Sequence, residues 1–208
     1  MDEKSVPQNN PFDEPRIIAD PEEMFQNYKH QILIGAAVII LAIAGGTGWW
    51  VYKGKLEKRA QAALQETDNK EGWLAVAEEY ANTSAGGFAQ IKLAESYKEA
   101  GDWENVEKAF STFLQYHKRS PLAPAAELGL ARAQEAQQNY DAAQSSYHAI
   151  IATPELHPFS APAHIGLARS YEAAGQKEAA QQILADFIAN TTDSAFITEA
   201  ESMLKKLN

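Results

Sequence analysis

The chain has 208 residues, a length that allows one or at most two domains. Its formal net charge of -10 at pH 7 argues against a nucleic-acid partner, because phosphate binding needs a clustered basic surface. The sequence contains no cysteine, which excludes a thiol nucleophile, a disulfide framework and a thiolate metal site.

Residues 1–30 form an acidic segment in which proline occurs at positions 7, 11, 15 and 21. Prolines at this density prevent a continuous helix, and the low hydrophobicity cannot offset the entropy lost on ordering. We therefore predict a disordered tail over residues 1–30.

An apolar run without a charged side chain follows, from Ile32 to Val51. As a helix it would extend about 30 Å, the thickness of a bilayer core. Its C-terminal end carries three aromatic residues, whose rings favour the membrane interface: Trp49, Trp50 and Tyr52. We predict a transmembrane helix over residues 31–52, with residues 32–51 in contact with the lipid bilayer.

The segments beside this run bear on its processing and its direction. A cleaved signal peptide is the alternative to a retained anchor, but the preceding tail is long and acidic where a signal peptide is short and basic. Close to the run, basic residues are more frequent after it than before it, where Arg16 and Lys29 lie. By the positive-inside rule, this bias favours a cytoplasmic location for everything that follows.

Residues 53–86 connect the predicted span to the rest of the chain. We expect a helix over residues 53–66 that continues out of the membrane. A second amphipathic helix follows, with apolar side chains at helical spacing, and we predict that it packs as a degenerate capping hairpin: Trp73, Leu74, Ala77 and Tyr80.

Beyond residue 86 the sequence matches itself at a fixed shift of 37 residues. The pair Leu93-Ala94 recurs as Leu130-Ala131 and again as Leu167-Ala168. Bulky apolar positions follow the same shift, as in Phe110, Tyr147 and Leu184. We therefore predict three 37-residue repeats over residues 87–194.

Each repeat has the pattern of two helices separated by a polar break such as Gly101-Asp102. One such hairpin cannot bury its own apolar face, whereas stacked hairpins bury a continuous core. The expected fold class is all-α, a solenoid of helical hairpins after one transmembrane helix. Residues 195–208 are expected to form a C-terminal capping helix.

The sequence offers no recognisable catalytic or metal-binding constellation. No histidine pair has the spacing of a helical zinc site, and we interpret His157 and His164 as an incidental pair beside a proline-containing loop. The run Gly45-Gly46-Thr47-Gly48 lies inside the apolar segment and follows no strand, which argues strongly against a phosphate cradle. Close packing against another membrane helix and simple tolerance of glycine in a span are the open alternatives for this run. We predict a non-enzymatic protein with no cofactor and no metal.

The pattern of these repeats resembles the tetratricopeptide repeat. The features that carry the resemblance are a small residue and aromatic residues in the first helix, a glycine in the turn and aromatic residues in the second helix. Gln138, where that family has glycine, and Lys177, where it has an aromatic residue, depart from the pattern. The resemblance implies a concave groove lined by the first helices, which would bind an apolar segment or helix of a partner protein. The groove positions that it implies are Phe88, Ile91, Glu95, Lys98, Leu128, Arg132, Glu135, Ile165, Arg169 and Glu172.

Two alternatives for these positions remain open. Three pairs of oppositely charged residues are spaced to form ion pairs within their own helices: Glu95 with Lys98, Arg132 with Glu135, and Arg169 with Glu172. The apolar groove positions could likewise be covered by neighbouring helices of the same chain.

The layout of the chain resembles the YfgM-like ancillary subunits of the SecYEG translocon. This layout consists of a tail, a membrane span, a degenerate hairpin and three repeats, and the segment 89–114 carries most of the resemblance in sequence. The resemblance implies a bacterial inner-membrane protein whose repeats lie in the periplasm, in contrast to the flanking charge. It implies translocon subunits, a periplasmic chaperone or exported proteins as partners, with a chaperone-like scaffold function. The alternative is a structural subunit of an envelope or cell-division complex that uses its repeats for assembly.

Overall fold

The structure is a computed structural model that describes residues 21–152, 158–191 and 194–208. These residues form helices joined by turns, which confirms the all-α prediction. The helices are α1 (Pro21–Gln65), α2 (Lys70–Glu79), α3 (Ser84–Glu99), α4 (Trp103–His117), α5 (Ala123–Ala136), α6 (Tyr140–Ile151), α7 (Ser160–Ala173), α8 (Lys177–Asn190) and α9 (Ser194–Leu207). The chain divides into two compact units, Met1–Tyr52 and Lys53–Asn208.

Helix α1 begins at Pro21 and therefore includes residues 21–30, which the sequence analysis placed in a disordered tail. Proline is compatible with the first helical position, where the backbone N–H has no partner within the helix. No further proline occurs between residues 22 and 30, so nothing interrupts the helix there. The other part of the predicted tail, residues 1–20, lies outside the described residues.

Within the described part of the chain, α1 is the helix that is long and apolar enough to span a membrane. The candidate span lies in Tyr28–Gln65, and its most apolar window has a mean hydropathy of 2.1 with no residue buried. Large apolar side chains point outward along it, with Leu41 71% exposed. The threonine hydroxyl in the predicted span is satisfied within the helix, because Thr47 Oγ1 donates to the Ile43 carbonyl oxygen at 2.9 Å. An apolar outer surface with its polar groups satisfied within the helix is suited to the hydrocarbon core of a membrane.

The second unit repeats at the predicted interval. The second helices of the three hairpins start 37 residues apart, at Trp103, Tyr140 and Lys177, and the first helices end at the same interval. The turns between them contain Gly101, Gln138 and Gly175, whose φ angles are 72°, 61° and 78°. The left-handed residue at which the chain turns from the first helix to the second therefore also recurs every 37 residues.

Small residues let the helices of the second unit approach closely. Alanine is fully buried at four positions spaced by 37 residues, which are Ala89, Ala126, Ala163 and Ala200. Close approach of helix backbones requires such small side chains at the contact. Because Ala200 lies on α9, this last helix occupies the place that the first helix of a further hairpin would have.

Aromatic rings fill the space left by glycine between successive hairpins. A Cβ added to Gly129 would lie 2.5 Å from the ring of Phe110, and one added to Gly166 would lie 2.4 Å from the ring of Tyr147. In both cases a ring on the second helix of one hairpin covers a glycine on the first helix of the next.

The start of the second unit is also built as a packed pair of helices. Ala63 and Leu64, at the end of α1, pack against the cluster that contains Val76 and Ala77 of α2. The Glu57 carboxylate accepts a hydrogen bond from the Ser84 N–H at 2.9 Å, at the beginning of α3. The first repeat helix therefore starts at Ser84, three residues before the predicted boundary at residue 87.

Candidate functional site

The predicted groove positions lie on the first helices of the three hairpins, α3, α5 and α7. Their exposure differs along the array. Phe88 is 44% exposed and Ile91 is half-buried, whereas Leu128 is 5% and Ile165 is 3% exposed. Ile165 packs in the cluster that contains Leu184 and Leu207, so neighbouring helices of the same chain cover it. The groove surface is therefore more open at α3 than at α7.

A cavity of about 320 Å³ lies between α3, α4 and α5. Five of the predicted groove residues line it, namely Ile91, Glu95, Lys98, Leu128 and Arg132. The structure thus brings together five of the seven predicted residues of the first two repeats in one site, whereas Phe88 and Glu135 do not line this cavity.

Residues outside the predicted set also line this cavity, among them Trp103, Val106, Phe110, Leu122 and Phe159. The sequence analysis named Phe110 as a bulky apolar position of the repeat, and it did not single out Leu122 or Phe159. Leu122 and Phe159 follow Pro121 and Pro158 at the 37-residue interval, so the repeat itself carried the signal for them.

The charged groups beside the cavity are not paired as the spacing suggested. The Glu95 carboxylate accepts a hydrogen bond from Lys92 Nζ at 3.2 Å, one turn before it, and not from Lys98. Lys98 and Arg132 are exposed, and neither forms an ion pair within the described part of the chain. An apolar cavity with two available cations at its edge can hold an apolar side chain and attract a carboxylate.

Glu135 and Arg169 form a pair between neighbouring repeats, which differs from the expected pairing of Glu135 with Arg132 and of Arg169 with Glu172. Arg169 Nη2 donates to Glu135 Oε2 at 2.8 Å, and Arg169 Nε donates to the other carboxylate oxygen. The Tyr147 hydroxyl, on the buried side, also donates to Glu135 Oε2 at 2.7 Å. Residues 34 positions apart meet here because stacking of hairpins aligns their first helices.

This cluster has a clear electrostatic consequence. Burial, followed by the neighbouring Glu135 carboxylate, raises the pKa of Tyr147 well above its ordinary value of 10.0. The hydrogen bonds that Arg169 donates to the Glu135 carboxylate raise the pKa of Arg169 in turn. Glu135 and Arg169 are thus already engaged with each other, and Glu172 is exposed on α7.

The described residues hold no cluster of three acidic or histidine side chains suited to a metal ion. His164 Nδ1 lies 2.9 Å from the Ser160 carbonyl oxygen, and its ring stacks on Phe187 at 4.9 Å between centroids. His157, which was paired with it in the sequence analysis, lies outside the described residues.

The predicted membrane-interface residues lie near the C-terminal end of the apolar run in α1. Trp49, Trp50 and Tyr52 are 61%, 78% and 57% exposed. The rings of Trp49 and Tyr52 are 6.3 Å apart between centroids. These three side chains are therefore available to an interfacial environment.

Comparisons with known proteins agree with this architecture. Residues 23–204 match a family model described as a tetratricopeptide repeat-like domain. No curated protein sequence matches the chain.

Two crystal structures of one Podosopora anserina protein are similar to this chain. That protein is assigned as a kinesin light chain with nearly identical TPR-like repeats. Its sequence is 19% identical to this chain, and the two structures superpose with a TM-score of 0.54. The similarity covers 74% of this chain and 83% of that chain. A single-substitution variant of the same protein has the same identity and coverage and a TM-score of 0.55. At this identity the likeness shows the fold. Since the family model spans most of the sequence, the chain belongs to the tetratricopeptide repeat-like domain family.

Proposed function

We propose that this protein is a membrane-anchored scaffold whose repeats bind an apolar segment of a partner protein. The observation that carries the proposal is the cavity between α3, α4 and α5, in which Ile91, Leu128 and Phe110 form an apolar lining. Lys98 and Arg132 at its edge add two cations without ion-pair partners in the described part of the chain. Tetratricopeptide-like repeats typically serve protein interaction, and we propose no catalytic activity.

The same proposal includes the membrane. The exposed apolar surface of α1 supports an anchor over residues 31–52, with Trp49, Trp50 and Tyr52 at the interface. The resemblance to YfgM-like proteins supports a bacterial inner membrane and a translocon-associated, chaperone-like function, with translocon subunits, a periplasmic chaperone or exported proteins as partners. Under this proposal the repeats are exported, because a large domain can be translocated despite basic flanking residues.

Site-specific photo-crosslinking in cells tests the groove. A photoreactive amino acid at Ile91 should crosslink to a discrete partner, because this side chain faces the cavity. The same amino acid at Glu104 or Glu178, which are exposed positions on second helices, provides the matched control. Crosslinked proteins are then identified by mass spectrometry.

Three outcomes separate the alternatives. Translocon subunits or exported proteins crosslinked from position 91, and not from the controls, support the proposal. Products that contain only further copies of this chain would instead favour the structural-subunit alternative. Equal crosslinking from all positions would refute a groove-specific interaction.

A topology measurement tests the exported location. Reporter enzymes that are active on only one side of the membrane are fused after Asn208. Activity of the exported-side reporter is expected. Activity of the cytoplasmic reporter alone would refute the translocon proposal and leave a cytoplasmic scaffold.

A further inference from the structure

A second and larger cleft opens beside the groove, where α3 begins and α4 ends. Its volume is about 690 Å³, and it shares Leu122 with the groove cavity. Outside α1, four large apolar side chains are prominently exposed in the described part of the chain, and three of them line this cleft. These three are Phe88, Tyr116 and Leu122, each 43–44% exposed. Exposed apolar side chains that cluster in one concave site mark an interaction surface.

The charge of this cleft is opposite to that of the whole chain. Lys118 and Arg119 line it, both exposed, and none of its lining residues is acidic. The chain as a whole has 28 acidic and 18 basic residues. A local excess of positive charge on an acidic protein selects for a ligand of negative charge.

The basic pair and its two aromatic neighbours do not recur at the 37-residue interval of the repeats. The positions 37 residues before and after Lys118-Arg119 are occupied by Ala81-Asn82 and Glu155-Leu156. The same comparison replaces Phe88 with Ala125, and Tyr116 with Glu79 and Thr153. Their presence therefore needs an explanation other than the packing that the repeats share.

The wall of the cleft is fixed before any ligand binds. His117 Nε2 lies 2.8 Å from the Ala81 carbonyl oxygen, and its ring is 5.2 Å from that of Phe113. Gly87 makes room for this ring, because a Cβ at position 87 would lie 2.8 Å from it. A preformed wall reduces the entropy lost when a ligand is ordered against it.

We propose that this cleft is a docking site for a short acidic peptide segment with a bulky apolar side chain. The apolar side chain packs among Phe88, Tyr116 and Leu122, while acidic residues on either side of it approach Lys118 and Arg119. The proposal is independent of what occupies the groove. An anionic membrane surface fits less well, because lipid recognition by basic clusters uses about 4–8 cations on an open surface, whereas this cleft provides two.

Fluorescence anisotropy with the full-length protein in neutral detergent micelles tests the proposal. The probe is a short labelled peptide in which adjacent leucine and phenylalanine are flanked by aspartate and glutamate. Two matched peptides carry lysine in place of the acidic residues or alanine in place of the apolar pair. Saturable binding of the first peptide is expected, with affinity lower by about tenfold or more for both matched peptides.

Variants of the protein assign the binding to this cleft. The double charge reversal Lys118→Glu with Arg119→Glu should lower the affinity for the acidic peptide by about tenfold or more. The matched control, Lys205→Glu with Lys206→Glu, makes the same charge change on exposed residues of α9 and should leave affinity within about twofold. Phe88→Ala should weaken binding, whereas Leu74→Ala, at the exposed apolar residue outside the cleft, should not. Circular dichroism verifies that each variant is folded.

Several results would overturn the proposal. They are absence of binding, equal loss in the two charge-reversed variants, or equal affinity for the alanine-substituted peptide. Phosphatidylglycerol added to the micelles should leave peptide affinity within about twofold, and displacement by it but not by phosphatidylcholine would assign the cleft to anionic lipid instead. Ile91→Glu, in the groove, should retain peptide binding, so failure of the groove proposal can be recognised separately.

Discussion

At the scale of single residues, the turn between paired helices requires a backbone conformation that L-amino acids rarely adopt. Gly101 and Gly175 meet this requirement at no steric cost, because glycine has no Cβ to approach the adjacent backbone carbonyl oxygen in this conformation. Gln138 adopts the same conformation, with φ at 61°, although it has a Cβ. The sequence alignment of the repeats identified Gln138 as a departure, and the structure shows that the departure is conformational strain.

Replacing Gln138 with glycine should stabilise the protein by about 1 kcal/mol, because the left-handed conformation costs an L-residue about 1–2 kcal/mol. The reverse changes, Gly101→Ala and Gly175→Ala, should each destabilise it by about 1 kcal/mol. Chemical denaturation followed by circular dichroism measures all three. A lower midpoint for Gln138→Gly than for the wild type would contradict this account.

At the scale of the helices, neighbouring hairpins are joined by polar contacts as well as by apolar packing. Glu135 on α5 is held by Arg169 of α7 and by the buried Tyr147 of α6. The sequence could not predict this arrangement, because the partners are 34 residues apart and meet only through the stacking geometry. Helical spacing alone favoured partners three residues away, and the structure does not contain those pairs.

The Tyr147 cluster predicts a specific loss of stability at alkaline pH. Because the pKa of Tyr147 is raised in the folded protein above its ordinary value of 10.0, its contribution is present below pH 10 and is lost as the pH rises further. One such group contributes at most about 1.4 kcal/mol per pH unit. Tyr147→Phe should therefore flatten the fall of unfolding free energy above pH 10, as measured by denaturation at a series of pH values.

Phenylalanine is a suitable replacement because Phe110 occupies the corresponding position of the preceding repeat. Tyr116→Phe, at an exposed tyrosine, is the matched control. A difference between wild type and Tyr147→Phe that is independent of pH would show that the hydroxyl contributes only an ordinary hydrogen bond.

At the scale of the whole molecule, the interval of 37 residues predicted the repeat architecture, because each hairpin contacts its neighbours through the same positions. It did not predict which groove residues would remain accessible. Leu128 and Ile165 occupy the position of Ile91, yet both are buried, since the stacked helices cover successive repeats to different extents. The basic cleft was missed because it depends on Phe88, Tyr116, Lys118 and Arg119, which do not follow the repeat.

The last helix should be necessary for the stability of the array, because it covers the apolar face of α7 and α8. Leu207 is 5% exposed and packs in the same cluster as Leu184 and Phe187. Leu207→Ala should lower the free energy of unfolding by about 2 kcal/mol or more. Lys206→Ala, at the exposed neighbour, should change it by less than about 0.5 kcal/mol. Equal effects in denaturation would contradict a packing function for α9.

The rings that cover glycines also distinguish the last hairpin from the two before it. Phe110 and Tyr147 each face a glycine in the following hairpin, but the residue 37 positions after Gly166 is Met203, which packs in the cluster of the smaller Leu184. A deletion that joined α6 directly to α9 would place Tyr147 against Met203, where two large side chains compete for one space. The hairpin of α7 and α8 is thus the one suited to precede α9, and its removal would require a compensating change in side-chain volume at the new junction.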